Sequence, residues 1–484
     1  MPAYGLEIAV VCLGLLLLLM DAFREKGAKS AIAGLAVIGL LMVLVFLVFG
    51  TQETGVTYWG VYEWDNWAKF YKGIALASTI LVILMSVDYA EVFKRYTNTD
   101  ESQSGLGEHY ILPIFACAGL MWMASARDLI TIFVALETVT ITFYVMVAFM
   151  RHNVGSLEAG VKYLILGALS TGFLVFGITW TFGVTGAFHL DAVGEGLSKI
   201  EGSSIPALFA LVLLLVGLGF KIAAVPFHLW VPDVYQGAPA PVTAFLSVGS
   251  KAAGFIILLR VLEPFLQAEP TRDAALTLLA IMAAATLLFG NLAAIPQTNV
   301  KRLLAYSSIS HAGFLLVAIA APVEGNPDAW RTVTFYLGAY LAMTMLCFFI
   351  LCLVRAHGGS DELIGFSGLS ERNGLLAFGM LIGLASLAGL PLTAGFFGKF
   401  FVFNLALQSK LYWLLAIAIL GAAAGFYYYF KVAKSMYWEK ADEAVEFAPG
   451  QTIEISMVTR VTILVLIVAT LFFGVVPGLL FSWF

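Results

Sequence analysis

Charge is scarce in this 484-residue sequence, where Asp, Glu, Lys and Arg together make up 12%, about half the share found in soluble globular chains. With 61% hydrophobic residues and a mean hydropathy of +0.93, too little polar surface remains to face water, so lipid must be the main solvent. The net charge of −5 is spread over mixed signs and no long run of Lys or Arg occurs, which excludes a nucleic-acid backbone as partner. Cysteine is nearly missing. Cys12, Cys117, Cys347 and Cys352 all lie in apolar stretches without paired spacing, so they read as core thiols rather than as a zinc or cluster site. A P-loop, a dinucleotide fingerprint and a haem attachment sequence are absent too, and the energy for any work must come from elsewhere. The N-terminal apolar run Leu6 to Met20 lacks a basic region before it and a small-residue cleavage site after it, and it reads as a retained first helix.

What the sequence does have is long apolar runs. A bilayer core takes roughly 20 apolar residues per helix, and about fourteen such runs emerge: 4–23, 30–50, 68–87, 109–126, 128–150, 157–185, 205–230, 241–265, 273–294, 301–321, 330–355, 374–405, 411–436 and 456–479. The expectation is one continuous all-α membrane bundle. If the N-terminus lies outside, the cytoplasmic connections hold Arg24, Lys26, Lys29, Lys94, Arg95, Arg151, Lys301, Arg302, Arg355, Arg372, Lys431, Lys434, Lys440 and Arg460. The opposite face holds fewer: Lys69, Lys72, Arg127, Lys199, Arg260, Arg272, Arg331 and Lys410. This bias predicts both termini on the periplasmic side of a bacterial inner membrane.

Four lysines remain, all inside expected spans: Lys162, Lys221, Lys251 and Lys399. Glu137, in LITIFVALETVTITFYV, lies equally deep, and no arginine is expected to. A charge near the bilayer centre costs at least ~2.5–3.5 kcal/mol, so these groups should face the bundle interior. Lysine differs from arginine here, because burial moves a lysine toward its neutral form whereas arginine stays protonated. Lysines can therefore take up and release protons. The plainer alternative is a buried ion pair or a snorkelling side chain, the latter plausible for Lys162 near a helix end. One acid cannot neutralise four cations, which argues against pairing alone.

Two of the lysines lie close to prolines within spans. Lys221 precedes Pro226 in GLGFKIAAVPFHLW, and Lys399 follows Pro391 in SLAGLPLTAGFFGKFF. Proline breaks a helix, and interrupted helices at membrane depth occur where they line a cavity. The order of the spans predicts two inverted five-helix repeats, helices 4–8 and 9–13, each with its break in the fourth member. The chain then divides into a three-helix segment (1–108), a first repeat (109–265), a second repeat (273–436), and a cytoplasmic loop with a last helix (437–484).

The segments SLEAGVKYLILGALSTG (156–172), FKIAAVPFHLWVPDVYQGAPAPVTAFLSVGSKAAGF (220–255), QTNVKRLLAYSSISHAGF (297–314), SLAGLPLTAGFFGKF (386–400) and GFYYYFKVAKSMY (425–437) resemble the subunit N family of the bacterial respiratory NADH:quinone oxidoreductase, complex I. The resemblance runs nearly the whole length and is weakest over the first hundred residues and in 438–455, although Asp65, Lys72 and Asp88 fall where that family also tends to carry polar residues. Two departures are Gln236, where the family more often has lysine or glutamate, and Leu392, where a second proline is common. The resemblance implies a proton route along the membrane mid-plane: Glu137 as the paired glutamate of the fifth helix, Lys221 on the first broken helix, Lys251 at the centre, Lys399 as outlet on the second broken helix, and Lys162 on the sixth. It also implies partners, namely the neighbouring antiporter-like subunit M, the small membrane subunits and the peripheral subunits. The NADH, FMN, iron–sulfur and quinone sites would belong to those partners, with no cofactor in this chain.

The mechanism expected from these residues uses a Glu137–Lys221 ion pair as a switch, since at 4 Å and an effective dielectric of about 20 such a pair is worth ~4 kcal/mol. Protons would pass to Lys251 and then Lys399, with His228 and His311 either relays through water or structural hydrogen-bonding groups. The alternatives are a subunit of a multi-subunit Na+/H+ (Mrp-type) antiporter or related membrane hydrogenase, and a scaffold that conducts nothing.

Overall fold

The computed structural model describes residues 2–23, 30–50, 55–97, 106–321, 328–439 and 452–481. Arg24, Lys26, Lys29 and Lys440, which entered the orientation argument, lie outside the described residues, as do 440–451 of the loop before the last helix. Helices are numbered here as α1 Gly5–Phe23, α2 Ser30–Phe49, α3 Asn66–Asp88, α4 Leu106–Ser125, α5 Leu129–Val147, α6 Val154–Thr185, α7 Ile205–Ile222 and α8 Val231–Gly237. There follow α9 Ala240–Gln267, α10 Glu269–Ala294, α11 Val300–Ala320, α12 Asp328–Ala356, α13 Gly374–Ala388, α14 Ala394–Gln408, α15 Tyr412–Trp438 and α16 Met457–Val475. Among the described residues, 13 helices are long and apolar enough to cross a membrane. The remaining expected span, 374–405, is the pair α13–α14, so every apolar run of the sequence corresponds to helix.

Capping side chains set many of the helix starts. Asp65, Asp128, Asn153, Asn299, Asn373 and Ser456 each accept a hydrogen bond from a backbone N–H of the first turn that follows, the contact that satisfies donors without an intrahelical partner. Glycines then let helices approach. A Cβ on Gly217 of α7 would lie 2.6 Å from the Leu174 Cβ of α6, and one on Gly290 of α10 would lie 2.7 Å from the Ser310 nitrogen of α11. Such close crossings gain packing where lipid offers no hydrophobic drive between helices. Outward faces stay apolar, as with Leu164, Ile165 and Leu169 of α6, while the membrane-spanning cores of α9 and α11 are fully buried and form the centre of the bundle.

One element departs from the all-α expectation. A two-stranded antiparallel hairpin, β1 Val56–Tyr58 and β2 Tyr62–Trp64, turns through Trp59 and Gly60 at positive φ. The hairpin caps one face of the bundle. Tyr4, just before α1, packs edge to face against its Tyr58 with ring centroids 5.2 Å apart. The last helix, α16, starts at the opposite face, where Thr459 donates to Asp88 at the end of α3 over 2.6 Å. It therefore ends on the hairpin face, so α1 begins and α16 ends on the same side.

Both groups of five spans, Leu106–Gln267 and Glu269–Trp438, contain a break in their fourth member. The first separates α7 from α8 and the second separates α13 from α14.

Candidate functional site

The first break begins before its proline. α7 ends at Ile222, Ala223 takes a left-handed conformation with φ of 66°, and the freed Val225 N–H donates to Thr286 Oγ1 of α10 at 3.0 Å. The Trp230 indole donates to the Phe220 carbonyl at 3.0 Å. Side chains thus satisfy groups that the interruption leaves open, which is the condition for non-helical backbone at this depth. Lys221, in the last turn, is 5% exposed and reaches Thr140 Oγ1 of α5 at 3.3 Å.

Glu137 lies on α5, one turn before Thr140, and accepts a hydrogen bond from Thr171 of α6 at 2.8 Å. It is only half-buried. The expected 4 Å ion pair between Glu137 and Lys221 is not formed: no such contact within 4.0 Å joins them. Thr140 occupies the place at the Lys221 amine that the carboxylate was expected to take. Glu137 is nevertheless the carboxylate whose field reaches Lys221.

At the centre of the bundle α9 opens into a π-helical turn, Leu246–Ser250, directly before Lys251. Single π turns inside α-helices widen the backbone and recur at functional sites. Lys251 is 1% exposed and donates to both the carbonyl and the hydroxyl of Ser308 on α11, with the Tyr340 ring 5.7 Å from its amine. No carboxylate pairs with it among the described residues.

One turn beyond Ser308 on α11 stands His311, 2% exposed. Its Nδ1 is 2.7 Å from the Tyr336 hydroxyl of α12, and its Nε2 is 3.2 Å from the Tyr429 hydroxyl of α15. Lys251 and Lys399 are the two cations whose fields reach this ring. Lys399, 5% exposed, lies on α14 and bends back to the second break. Its amine donates to the Ala388 carbonyl at 2.8 Å, the last residue of α13, and stands 5.0 Å from the Phe314 ring. A cation at the C-terminal end of a half-helix meets orphan carbonyls and the negative end of its dipole. Gly389, at φ of 90°, leaves room for it, since a Cβ there would lie 3.0 Å from the Lys399 Cδ.

Lys162 is placed differently from the expectation of an intramembrane charge. Its side chain is 42% exposed, paired with Glu158 at 2.7 Å and Asp233 at 2.8 Å. It lines a polar cavity of about 380 Å³ together with Asp233, Gln236, Asn299, Lys301, Arg355 and Asp361, at the face opposite the hairpin. Gln236, one of the departures from the family pattern, accepts from Arg302 there at 2.9 Å. Next to the lining residue Gln236 on α8, the buried Tyr235 places its hydroxyl 3.4 Å from the Ser308 hydroxyl.

The hydrogen-bonding role considered for His228 is absent. Both ring nitrogens are buried without a partner among the described residues, and the ring packs on Phe289 at 4.3 Å. Of the cysteines, Cys117, Cys347 and Cys352 are buried, but Cys12 is exposed on α1 rather than in the core. Leu392, exposed at the second break, has φ of 72°, a backbone that the ring of a proline could not adopt.

Lys301 and Arg372, assigned to cytoplasmic connections, are buried, and so are two of the residues assigned to the opposite face. Lys72 is fully enclosed and paired with Glu7 of α1 at 2.7 Å. Arg260 is 1% exposed, the buried arginine that the sequence was not expected to hold, and binds Asp65 at 2.9 Å and Glu63 at 3.2 Å. Both sit within expected spans near helix ends, and that position was the available signal.

Residues 126–424 match a family model described as "NADH:quinone oxidoreductase/Mrp antiporter, TM". NADH-quinone oxidoreductase subunit N of Desulforamulus reducens is 38% identical over 475 residues, covering 98% of this chain and 94% of that protein. A chain of respiratory complex I from Thermus thermophilus superposes with a TM-score of 0.80 at 31% identity, covering 99% of this chain and 98% of that one. A chain of the archaeal membrane-bound sulfane sulfur reductase shares the fold alone, with a TM-score of 0.85 at 21% identity over 99% of this chain and 95% of that one. A chain whose central 299 residues (126–424) fit the family model, and whose likeness to subunit N runs end to end, belongs to the antiporter-like membrane subunits of NADH:quinone oxidoreductase, in the subunit N family.

Proposed function

We propose that this chain translocates protons across a bacterial inner membrane as a non-redox subunit of NADH:quinone oxidoreductase, driven by quinone reduction in partner subunits. The observation that carries the reading is the burial of Lys251 and Lys399, 1% and 5% exposed, without a carboxylate partner and on either side of His311. A permanent ammonium at either position would cost several kcal/mol, which one or two hydrogen bonds without a counter-charge offset only in part. An amine that is charged only in passing avoids that cost.

In this reading protons come from the polar cavity through Tyr235 and Ser308 to Lys251. They continue through the hydroxyl-bonded His311 to Lys399 at the second break. Glu137 and Lys221 bias the chain through the field between them, and Lys162 with Asp233 and Arg302 shapes the cavity mouth. His228 is a relay only through water. The two groups of five spans are read as inverted repeats, and the face that carries the hairpin as periplasmic. Subunit M and the small membrane subunits are the expected neighbours, with NADH, FMN, iron–sulfur clusters and quinone in other subunits and no redox centre here. A stand-alone or Mrp-type Na+/H+ antiporter is the second reading, favoured by the breadth of the matched family description.

Lys251→Met is the direct test. The variant complex should assemble and oxidise NADH in vesicles while moving several-fold fewer protons per NADH; an unchanged proton yield at normal complex content would refute the proposal.

A further inference from the structure

The relay from Lys251 to Lys399 ends without an acid. Lys399 is bonded to a backbone carbonyl and an aromatic face, and no carboxylate pairs with it among the described residues. At the hairpin face the situation is reversed. Lys72 of α3 and Glu7 of α1 are 2.7 Å apart with side chains 0% and 3% exposed. The Tyr62 hydroxyl accepts from Lys72 and donates to Glu7 at 3.1 Å. The rings of Tyr62 and Trp64 lie 4.5 and 4.6 Å from the Lys72 amine, so the hairpin forms a lid over the pair. The Trp64 indole N–H is buried with no acceptor among the described residues, a donor that only solvent can satisfy.

This pair lies between the centre of the bundle and the hairpin face. Outward lie Asp65 and Glu63, whose side chains are 19% and 24% exposed, both bound to Arg260. Asp65 and Arg260 are among the charges whose fields reach Lys72. Inward, α3 packs on the π turn that precedes Lys251. A Cβ on Gly249 of that turn would lie 2.9 Å from the Ser78 hydroxyl, which is about 9 Å along α3 from Lys72 at 1.5 Å per residue. A second line of hydroxyls runs from Tyr71, next to Lys72, to Thr334 of α12 at 3.3 Å. α12 also carries Tyr340, which binds Ser247 at 2.9 Å beside Lys251.

We propose that Lys72 and Glu7 form a proton-carrying site through which protons that have reached Lys251 leave at the hairpin face; this rests on the proton-translocation reading above. A proton arriving on the Glu7 carboxylate removes the counter-charge of Lys72 and strands its ammonium in a closed pocket. The ammonium then gives its proton outward, toward Asp65 and Glu63. The free amine takes the proton from Glu7, and the starting pair returns. One proton enters and one leaves, with no net change in the site.

A pair with a purely structural role would behave differently, because a buried ion pair can be replaced by apolar side chains at little cost to stability. The test compares Glu7→Leu/Lys72→Met, Glu7→Gln and Lys251→Met in the whole complex, reconstituted in vesicles at matched content, reading protons moved per NADH oxidised. The double variant should lower the proton yield as far as Lys251→Met does, while NADH oxidation in uncoupled vesicles stays normal. If the double variant fails to assemble, Glu7→Gln decides, since it keeps the hydrogen bond but cannot take up a proton, and its yield should fall likewise. A normal yield from either variant beside a lowered yield from Lys251→Met overturns the inference alone. A normal yield from Lys251→Met as well overturns the proton-translocation reading on which it stands.

Discussion

The amine of Lys221 is held by Thr140, one helical turn along α5 from Glu137, whose carboxylate is held by Thr171. A small rearrangement of α5 or α6 changes their separation and so the field that one exerts on the other. Glu137→Gln removes the carboxylate acting on Lys221, and Lys221→Met removes the cation on which it acts. Both single variants should pump poorly, and the double variant should be little worse than either, because residues acting as a unit are strongly non-additive. Losses that simply multiply across the four members of the cycle would show two independent residues. Single residues were unevenly legible in the sequence. Lys251 stood out because it lies at least ten residues from either end of its span, and Lys399 because it follows Pro391 inside one. Lys162 misled because α6 has 32 residues, about 48 Å at 1.5 Å per residue, well over a hydrocarbon core of about 30 Å. Its first turns therefore reach the polar cavity. Lys72 and Arg260 escaped because their partners Glu7, Glu63 and Asp65 are distant in sequence or lie in the hairpin.

At the level of helices, Pro226 and Pro391 announced both breaks, yet each helix stops three or four residues earlier, at Ile222 and Ala388. Left-handed residues, Ala223 and Gly389, make the actual stop, and such a residue is what ends a helix cleanly. The π turn before Lys251 left no comparable mark, since a one-residue widening follows from packing rather than from residue type. The second break yields a prediction. Gly389→Ala forces a side chain into a left-handed backbone, at a cost of about 1–2 kcal/mol, and pushes its Cβ against the Lys399 side chain. Gly186 also has positive φ, 72°, but with open space around it. Both alanine variants should lose similar stability in thermal unfolding of the purified complex, whereas proton yield should fall in Gly389→Ala and hold in Gly186→Ala. Equal proton yields would remove Gly389 from the function.

For the whole molecule, the two faces are built on different chemistry. The face opposite the hairpin opens into a wet cavity with acids and bases interleaved, whereas the hairpin face is closed by Tyr62 and Trp64 and clamped by Arg260. Arg260 also donates to the Ala124 carbonyl at 3.0 Å, so one guanidinium ties α9, the end of α4 and the hairpin together. Arg260→Met should destabilise the chain by about 3–5 kcal/mol, the scale for breaking a buried charge pair from one side. Adding Asp65→Asn should recover part of that loss, read as the complex that survives a heating step in detergent; no recovery would mean that the lost bond to Ala124 dominates. The Lys72–Glu7 pair has one further consequence, for biogenesis. Ribosomes deliver α1 to the membrane before α3 exists, so the insertion machinery meets Glu7, in the first turn of an apolar helix, without its cation. Its partner arrives 65 residues later in the chain, and only then can the first and third helices bury both charges together. The charge pair thereby couples the placement of the first helix to that of the third, and it is complete before any of the lysines of the relay has been synthesised.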